Sequence, residues 1–326
     1  MASRVRRRLW HRLYAKWGIA VHSFPMETVT SPGTPGRPLR AVLMMLACVA
    51  VFSSMDVVLK LLSTHYPPMQ VASLRGLASL PWLLAWAAAT TGLRPLLRVR
   101  WPLHLLRGVL GIMMMATFVY ALRTLPLATA YSIFFVAPLL ITALSVPFLR
   151  EHVGPRRWTA ITVGFIGVLV VLRPGGQGML TLAGIAVLVA ALGYAVSAIT
   201  VRVLARTDST QAMVVWLMLV MGLGAGVLAW PQWMPIRGEH AWLIVGLGIA
   251  GALGQYLITE AFRLGEASLL APLEYTALLW GLAWDITLWG VLPDSMTWLG
   301  AGIIIASGLY LLRRERAQQA GPVLPP

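Results

Sequence analysis

Apolar residues along this chain come in long unbroken runs, and a helix needs roughly 20 mostly apolar residues to cross the hydrocarbon core of a bilayer. Ten runs qualify, at residues 40–62, 69–91, 102–122, 127–149, 156–173, 181–203, 211–231, 241–262, 267–290 and 296–312. Turn-forming clusters separate them: Tyr66-Pro67-Pro68, Gly92 to Pro95, Leu125-Pro126, Gly154-Pro155, Arg173-Pro174-Gly175-Gly176, Pro231 to Pro235 and Pro293-Asp294. No connection is long enough for a soluble domain. The pattern predicts an all-α polytopic membrane protein with ten transmembrane helices.

Composition agrees: 58% of the residues are hydrophobic and only 11% charged, against about a quarter charged in a typical globular protein. The net charge of +15 would raise nucleic-acid binding first in a soluble domain, so the placement of the basic residues decides the matter. Of the 26 Lys and Arg, only Lys60, Arg123, Arg173 and Arg237 fall at span ends or in loops on one side, and Arg75 lies within a span. The other 21 lie on the opposite side, in the tails and alternate loops. Positive residues concentrate on the cytoplasmic side of a membrane protein. The chain is therefore expected to be multi-pass in the cell (inner) membrane, with both termini cytoplasmic. Its basic excess then reports topology, and no nucleic-acid partner is expected.

Other chemistry is thinly represented. The single cysteine, Cys48, forms no intramolecular disulfide, and the six histidines are scattered without metal-ligand spacing, so no metal is expected. Phosphate-binding and nucleophile-elbow motifs are absent from the sequence, which argues against ATP-driven transport by this chain, serine hydrolysis or a bound cofactor. Residues 1–39 are Arg-rich and read as a basic cytoplasmic tail; a surface helix, a transit-like segment or initiation at Met26 are the other readings. Residues 314–326 read as a C-terminal cytoplasmic tail.

The halves repeat at a shift of about 140 residues, dividing the chain into 40–175 and 180–313, helices 1–5 and 6–10. Ala121-Leu122-Arg123-Thr124-Leu125-Pro126 matches Ala261-Phe262-Arg263-Leu264-Gly265-Glu266, Gln70 matches Gln211, Trp101 matches Trp242, and Gly167 matches Gly308. An odd number of helices per half makes the second copy enter from the opposite side, giving two inverted five-helix repeats. Secondary transporters commonly place the substrate near the midplane between such repeats.

These segments, with Phe148 to Gly154, Gly164 to Val168, Leu172-Arg173-Pro174-Gly175, Ala271-Pro272-Leu273-Glu274-Tyr275 and Gly308-Leu309-Tyr310, resemble the drug/metabolite transporter superfamily. The resemblance is to its ten-helix members built from two EamA-type repeats, and it covers roughly residues 40–315. One departure is Val291, which follows Gly290 where that family often carries an acid. The resemblance implies an inner-membrane carrier of small metabolites without naming the substrate.

An ionisable group in the bilayer core is costly, and each asks for a reason. Asp56 and Lys60 stand at i,i+4 and can pair with each other. Arg75, in the second span, either snorkels to the interface or neutralises Asp56 or Asp285. Glu274 lies eight residues into the ninth span with no Lys or Arg within a turn, and its repeat mate is at about Phe135. Burial without a cation favours the neutral acid, and a carboxyl that changes protonation as a cavity switches sides is what proton coupling requires. A permanently protonated Glu274 bonded to a neighbouring helix is the structural alternative. Glu274, Leu278, Gly281 and Asp285 share one face of a continuous helix. Glu260 and Glu266 bracket Arg263 as an expected interfacial ion-pair cluster.

Mid-span aromatics offer stacking faces and hydroxyls for an aromatic or cationic metabolite. Tyr275 and the Gln255-Tyr256 pair are favoured as lining residues, with Tyr131, Phe135, Tyr194 and Trp280 beside them. Gly222/Gly226, Gly248/Gly251/Gly254 and Gly300/Gly302 suit close helix contacts, and Pro138 and Pro272 suit kinks. The expected function is secondary transport of a small metabolite or drug-like molecule by alternating access, with proton coupling through Glu274 as the hypothesis for its driving force. A polytopic membrane enzyme or a lipid flippase are the alternatives. Enzymes of that kind cluster His, Asp and Asn at one face, whereas this chain has no Asn. A homodimer in the lipid bilayer is compatible with the sequence.

Overall fold

The computed structural model describes residues 37–97, 99–149, 155–172, 181–204, 207–264, 270 and 273–319. The tail through residue 36, the run Glu151 to Gly154, the turn Arg173 to Gly176, Glu266 and Pro272 lie outside the described residues, as does the side chain of Arg263.

In chain order the described helices are α1 (Arg37–Ser63), α2 (Pro68–Thr90), α3 (Trp101–Leu122), α4 (Leu127–Phe134), α5 (Ala137–Leu149), α6 (Pro155–Leu172), α7 (Leu182–Leu204), α8 (Thr210–Ala229), α9 (Ala241–Leu264), α10 (Ala277–Trp284) and α11 (Ser295–Gln319). Six are individually long and apolar enough to cross a membrane, and the remaining apolar helices are shorter. With α4 and α5 forming the fourth span, the chain has the ten spans expected, with ends close to those read from the apolar runs.

Local chemistry fixes the ends. Pro68 opens α2, where its missing N–H would have no helical partner anyway. Gly92 closes that helix at φ +75, its N–H reaching back to the Ala87 carbonyl at 2.9 Å. Ser209 caps α8 by accepting from the Ala212 N–H at 3.2 Å.

The fourth and ninth spans are not continuous. The fourth breaks at Phe135-Val136, between α4 and α5, and the ninth at Tyr275-Thr276, just before α10. The two breaks are 140 residues apart and therefore equivalent in the repeat. In the first, Pro138 cannot donate back to residue 134, so Leu140 N–H to the Val136 carbonyl restarts the ladder at 3.0 Å. In the second, the Thr276 hydroxyl donates to the Leu273 carbonyl at 2.6 Å and the next bonds are short i→i+3 turns. The kink expected at Pro138 is thus a full break, and its partner uses different residues. The break also separates Glu274 from the face shared by Leu278, Gly281 and Asp285, and a shift of 140 pairs Glu274 with Phe134 instead of Phe135.

Packing follows the repeat. The second helix of each half crosses its own counterpart (α2 on α8), as do the fifth helices (α6 on α11) and the broken ones (α4 on α10). The first helix of each half lies against the third helix of the other: α1 on α9, α7 on α3. Glycines permit the closest crossings. A Cβ on Gly76 would lie 2.6 Å from the Gly222 Cα, and one on Gly300 would lie 2.7 Å from the Gly167 carbonyl. Gly302 faces open space, so that glycine is no contact position.

The end at which α1 begins is called the near face, and the end at which it finishes the far face. The same turn-to-helix contact occurs on both. On the far face the α1–α2 turn meets the start of α9: the Tyr66 hydroxyl bonds His240 Nδ1 at 2.8 Å and accepts from the Arg237 N–H at 3.0 Å. On the near face the equivalent α7–α8 turn meets the start of α3. There Asp208 Oδ2 accepts from His104 Nε2 at 2.7 Å and from the Arg100 N–H at 3.1 Å.

Candidate functional site

Two groups of polar and aromatic side chains lie along the inner helices. The first surrounds the paired breaks. Glu274 is half-buried in the last turn before the break of the ninth span and has no hydrogen bond or ion pair among the described residues. Cys48 on α1, Tyr194 on α7 and Tyr275 are within electrostatic range of its carboxylate. The rings around it form a chain. Phe118 meets Phe134 edge-on at 5.9 Å between centroids, Phe134 meets Tyr194 at 5.5 Å, and Phe135 meets Tyr275 edge-on at 5.0 Å. Phe135 and Tyr275 are repeat mates, so they touch across the pseudo-two-fold. The Tyr275 hydroxyl is buried without a hydrogen-bond partner among the described residues, and Cys48 Sγ donates to the Gly254 carbonyl at 3.4 Å, tying α1 to α9.

The second group lies toward the far face. Asp285 is fully buried at the end of α10 and receives three donors: the backbone N–H groups of Leu127 at 3.0 Å and Ala128 at 2.8 Å, and Lys60 Nζ at 3.4 Å. Leu127 and Ala128 open α4, whose first N–H groups have no partner within the helix and carry its positive dipole end. Lys60 also sits 4.2 Å above the Trp289 ring. Gly290, at φ +64, ends this segment in the left-handed conformation. One turn before Lys60, Asp56 accepts the Tyr131 hydroxyl at 2.8 Å. Arg75 is 6% exposed, within electrostatic range of Asp56, and its Nε has no partner among the described residues.

Several expectations are therefore revised. Lys60 pairs with Asp285 on another helix and not with Asp56, because its side chain continues toward the far face while Asp56 turns to Tyr131. Arg75 is buried and does not snorkel. Tyr131 is bound into the polar cluster by its hydroxyl, and a Cβ on Gly281 would press on its ring at 2.7 Å. Tyr256 and Trp280 are not brought to either group: Tyr256 stacks edge-on against Trp86 at 5.9 Å, and Trp280 is exposed on α10. Gln255 lies half-buried on α9 beside Gly254. The sequence reading passed over Cys48, Trp289 and the Leu127–Ala128 amides. Of these, only the amides carried a signal: a helix starting right after Pro126 leaves donors that an acid can meet.

The EamA-like transporter family matches the chain twice, over residues 39–173 and 181–313. The chain belongs to this family. It is 30% identical over 286 residues to the riboflavin transporter of Vibrio cholerae, covering 86% of this chain and 95% of that one. It is also 30% identical over 264 residues to the S-adenosylmethionine uptake transporter of Rickettsia felis, covering 81% and 89%. A solved structure with 21% identity superposes with a TM-score of 0.61 over 84% of this chain and 98% of its own, confirming the fold. The protein is accordingly a multi-pass membrane transporter of a small molecule and not an enzyme. Neither the membrane-enzyme nor the lipid-flippase alternative is favoured.

Proposed function

We propose that this EamA-family protein is a secondary transporter of the inner membrane that moves a small polar metabolite with an aromatic or cationic portion, alternating access around the paired breaks and coupling to protons through Glu274. The observation that carries this reading is a carboxyl at a helix break, half-buried among aromatic rings, with no ion pair to a cation among the described residues. Rings supply stacking and cation–π faces, and the carboxylate accepts hydrogen bonds from a ligand's donors. The names of the relatives, carriers of riboflavin and of S-adenosylmethionine, agree with a ring-bearing cargo. Both termini are cytoplasmic in this reading, from the distribution of Lys and Arg, so the far face is the outer one. The buried Asp285 cluster closes the outer half, and Glu274 is reached from the near side. The bilayer and the metabolite are the partners, a homodimer is compatible, and no nucleic acid is involved.

The test is transport of labelled riboflavin and S-adenosylmethionine into proteoliposomes under an imposed pH gradient. The wild-type protein is expected to concentrate at least one of them, and Glu274→Gln to equilibrate it without concentrating it. Concentration by Glu274→Gln against a gradient, at the wild-type level, overturns the coupling role.

A further inference from the structure

The hydrogen-bonding capacity of the two groups is opposite, and the difference describes a ligand. At the far-face cluster the acids are largely answered. Asp285 has its three donors and Asp56 has the Tyr131 hydroxyl. Lys60 is answered by Asp285, but Arg75 has an open donor. A guanidinium carries five N–H groups and no acceptor, yet Arg75 is 6% exposed and, among the described residues, its Nε has no partner, with the half-buried Asp56 carboxylate in electrostatic range. Burying such a group without acceptors is costly unless something arrives to accept from it.

At the other group the inventory is reversed. Glu274 accepts and has no cation partner among the described residues, and the rings around it bind flat or cationic surfaces. Cys48 is in range of Glu274 and Asp56 is in range of Arg75. Both lie on α1, eight residues apart in sequence, or roughly 12 Å along the helix. Helix α4 follows the same path, from Tyr131 at the cluster to Phe134 and Phe135 at the breaks one turn later.

We propose that Arg75, set by Asp56, is the subsite for a carboxylate of the transported molecule, so that the cargo is zwitterionic, with its carboxylate at Arg75 and its cationic or N–H-bearing end at Glu274. A planar guanidinium meets a carboxylate in two parallel hydrogen bonds. The pairing answers the open Nε donor and orients the cargo along the pathway. Asp56, held by Tyr131 and within electrostatic range of the guanidinium, is a positioning residue. The inference rests on the transport reading above and adds the acidic end of the substrate to it.

The full-length protein in lipid nanodiscs is titrated calorimetrically with S-adenosylmethionine and with its decarboxylated form, which differ by the carboxylate alone, and with riboflavin, which has none. The wild-type protein is expected to bind S-adenosylmethionine about 30-fold more tightly than the decarboxylated form. Arg75→Gln is expected to bring that ratio close to one by weakening only the first, and Arg75→Lys to leave an intermediate ratio. Glu274→Gln is expected to weaken both ligands and keep the ratio. Because the ratio compares two ligands on one protein, partial loss of folded material does not imitate the result. If Arg75→Gln does not fold, the wild-type and Arg75→Lys ratios decide. A wild-type ratio near one, or an unchanged ratio in Arg75→Gln, overturns the subsite. Binding of riboflavin alone overturns it while leaving the transport reading in place, and binding of none of the three overturns both.

Discussion

Tyr275 and Phe135 occupy equivalent positions and pack ring to ring, so the hydroxyl is what distinguishes them. That hydroxyl is buried, has no hydrogen-bond partner among the described residues and points at Gly308 on α11, where an added Cβ would overlap it. Gly308 is thus a space requirement of Tyr275. Gly308→Ala is expected to destabilise the protein by about 1–3 kcal/mol, the usual cost of overpacking a tight interior. Tyr275→Phe, which removes an oxygen with no hydrogen-bond partner among the described residues, is expected to be neutral or mildly stabilising and to recover part of the Gly308→Ala loss. Thermal unfolding in detergent measures both, and an unchanged midpoint for Gly308→Ala would contradict this account. The sequence presented Tyr275 as a lining residue and Gly308 as the mate of Gly167. It did not show that they touch, because side chains 33 positions apart on different spans meet only through the packing of the repeats.

At the scale of elements, the number of spans, their ends and their inverted arrangement were legible because a helix in lipid must satisfy its backbone internally and show apolar residues for its full length. The breaks were less legible. Run length records that a segment crosses, not whether its ladder is continuous; Pro138 hinted at one break, and nothing comparable marked Thr276. The cross-repeat turns were invisible for another reason: His104 and Asp208, or Tyr66 and His240, are single polar residues at helix ends and short turns, joined over more than a hundred positions. The near-face contact makes a pH prediction. Burial pushes the Asp208 carboxyl up, but hydrogen bonds from Thr207, His104 and the Arg100 amide, with the His104 charge, bring it below its ordinary value. A depressed carboxyl stabilises the fold fully above its unfolded pKa, about 3.9, and loses that contribution as pH falls from there through the lower folded value. Asp208→Asn is therefore expected to melt below wild type at pH 7, with the gap closing below about pH 4. A gap that stays constant across this acid range would show that the carboxylate's charge is not what holds the turn.

For the whole molecule, the turn contacts are formed on both faces at once, so they belong to the frame about which the repeats move and do not alternate with it. The Asp285 clasp is different. It joins α10, α4 and α1, one broken span to the other, and it does so with a fully buried charge. Breaking one partner of a buried, hydrogen-bonded charge shifts an equilibrium strongly, and here the equilibrium to be shifted is between far face closed and far face open. Asp285→Asn keeps the shape and one amide contact but leaves Lys60 without its counter-charge. The expected outcome is a larger far-open population, read by a membrane-impermeant maleimide at Ala128→Cys in a Cys48→Ala background. Ala128 has no exposed surface while the clasp is closed. Labelling from the far side is expected to accelerate about tenfold in Asp285→Asn, equivalent to about 1.4 kcal/mol of population shift. Equal rates with and without the substitution would mean that the far face is held shut by the apolar packing of α4 on α10, and that Asp285 only caps a helix.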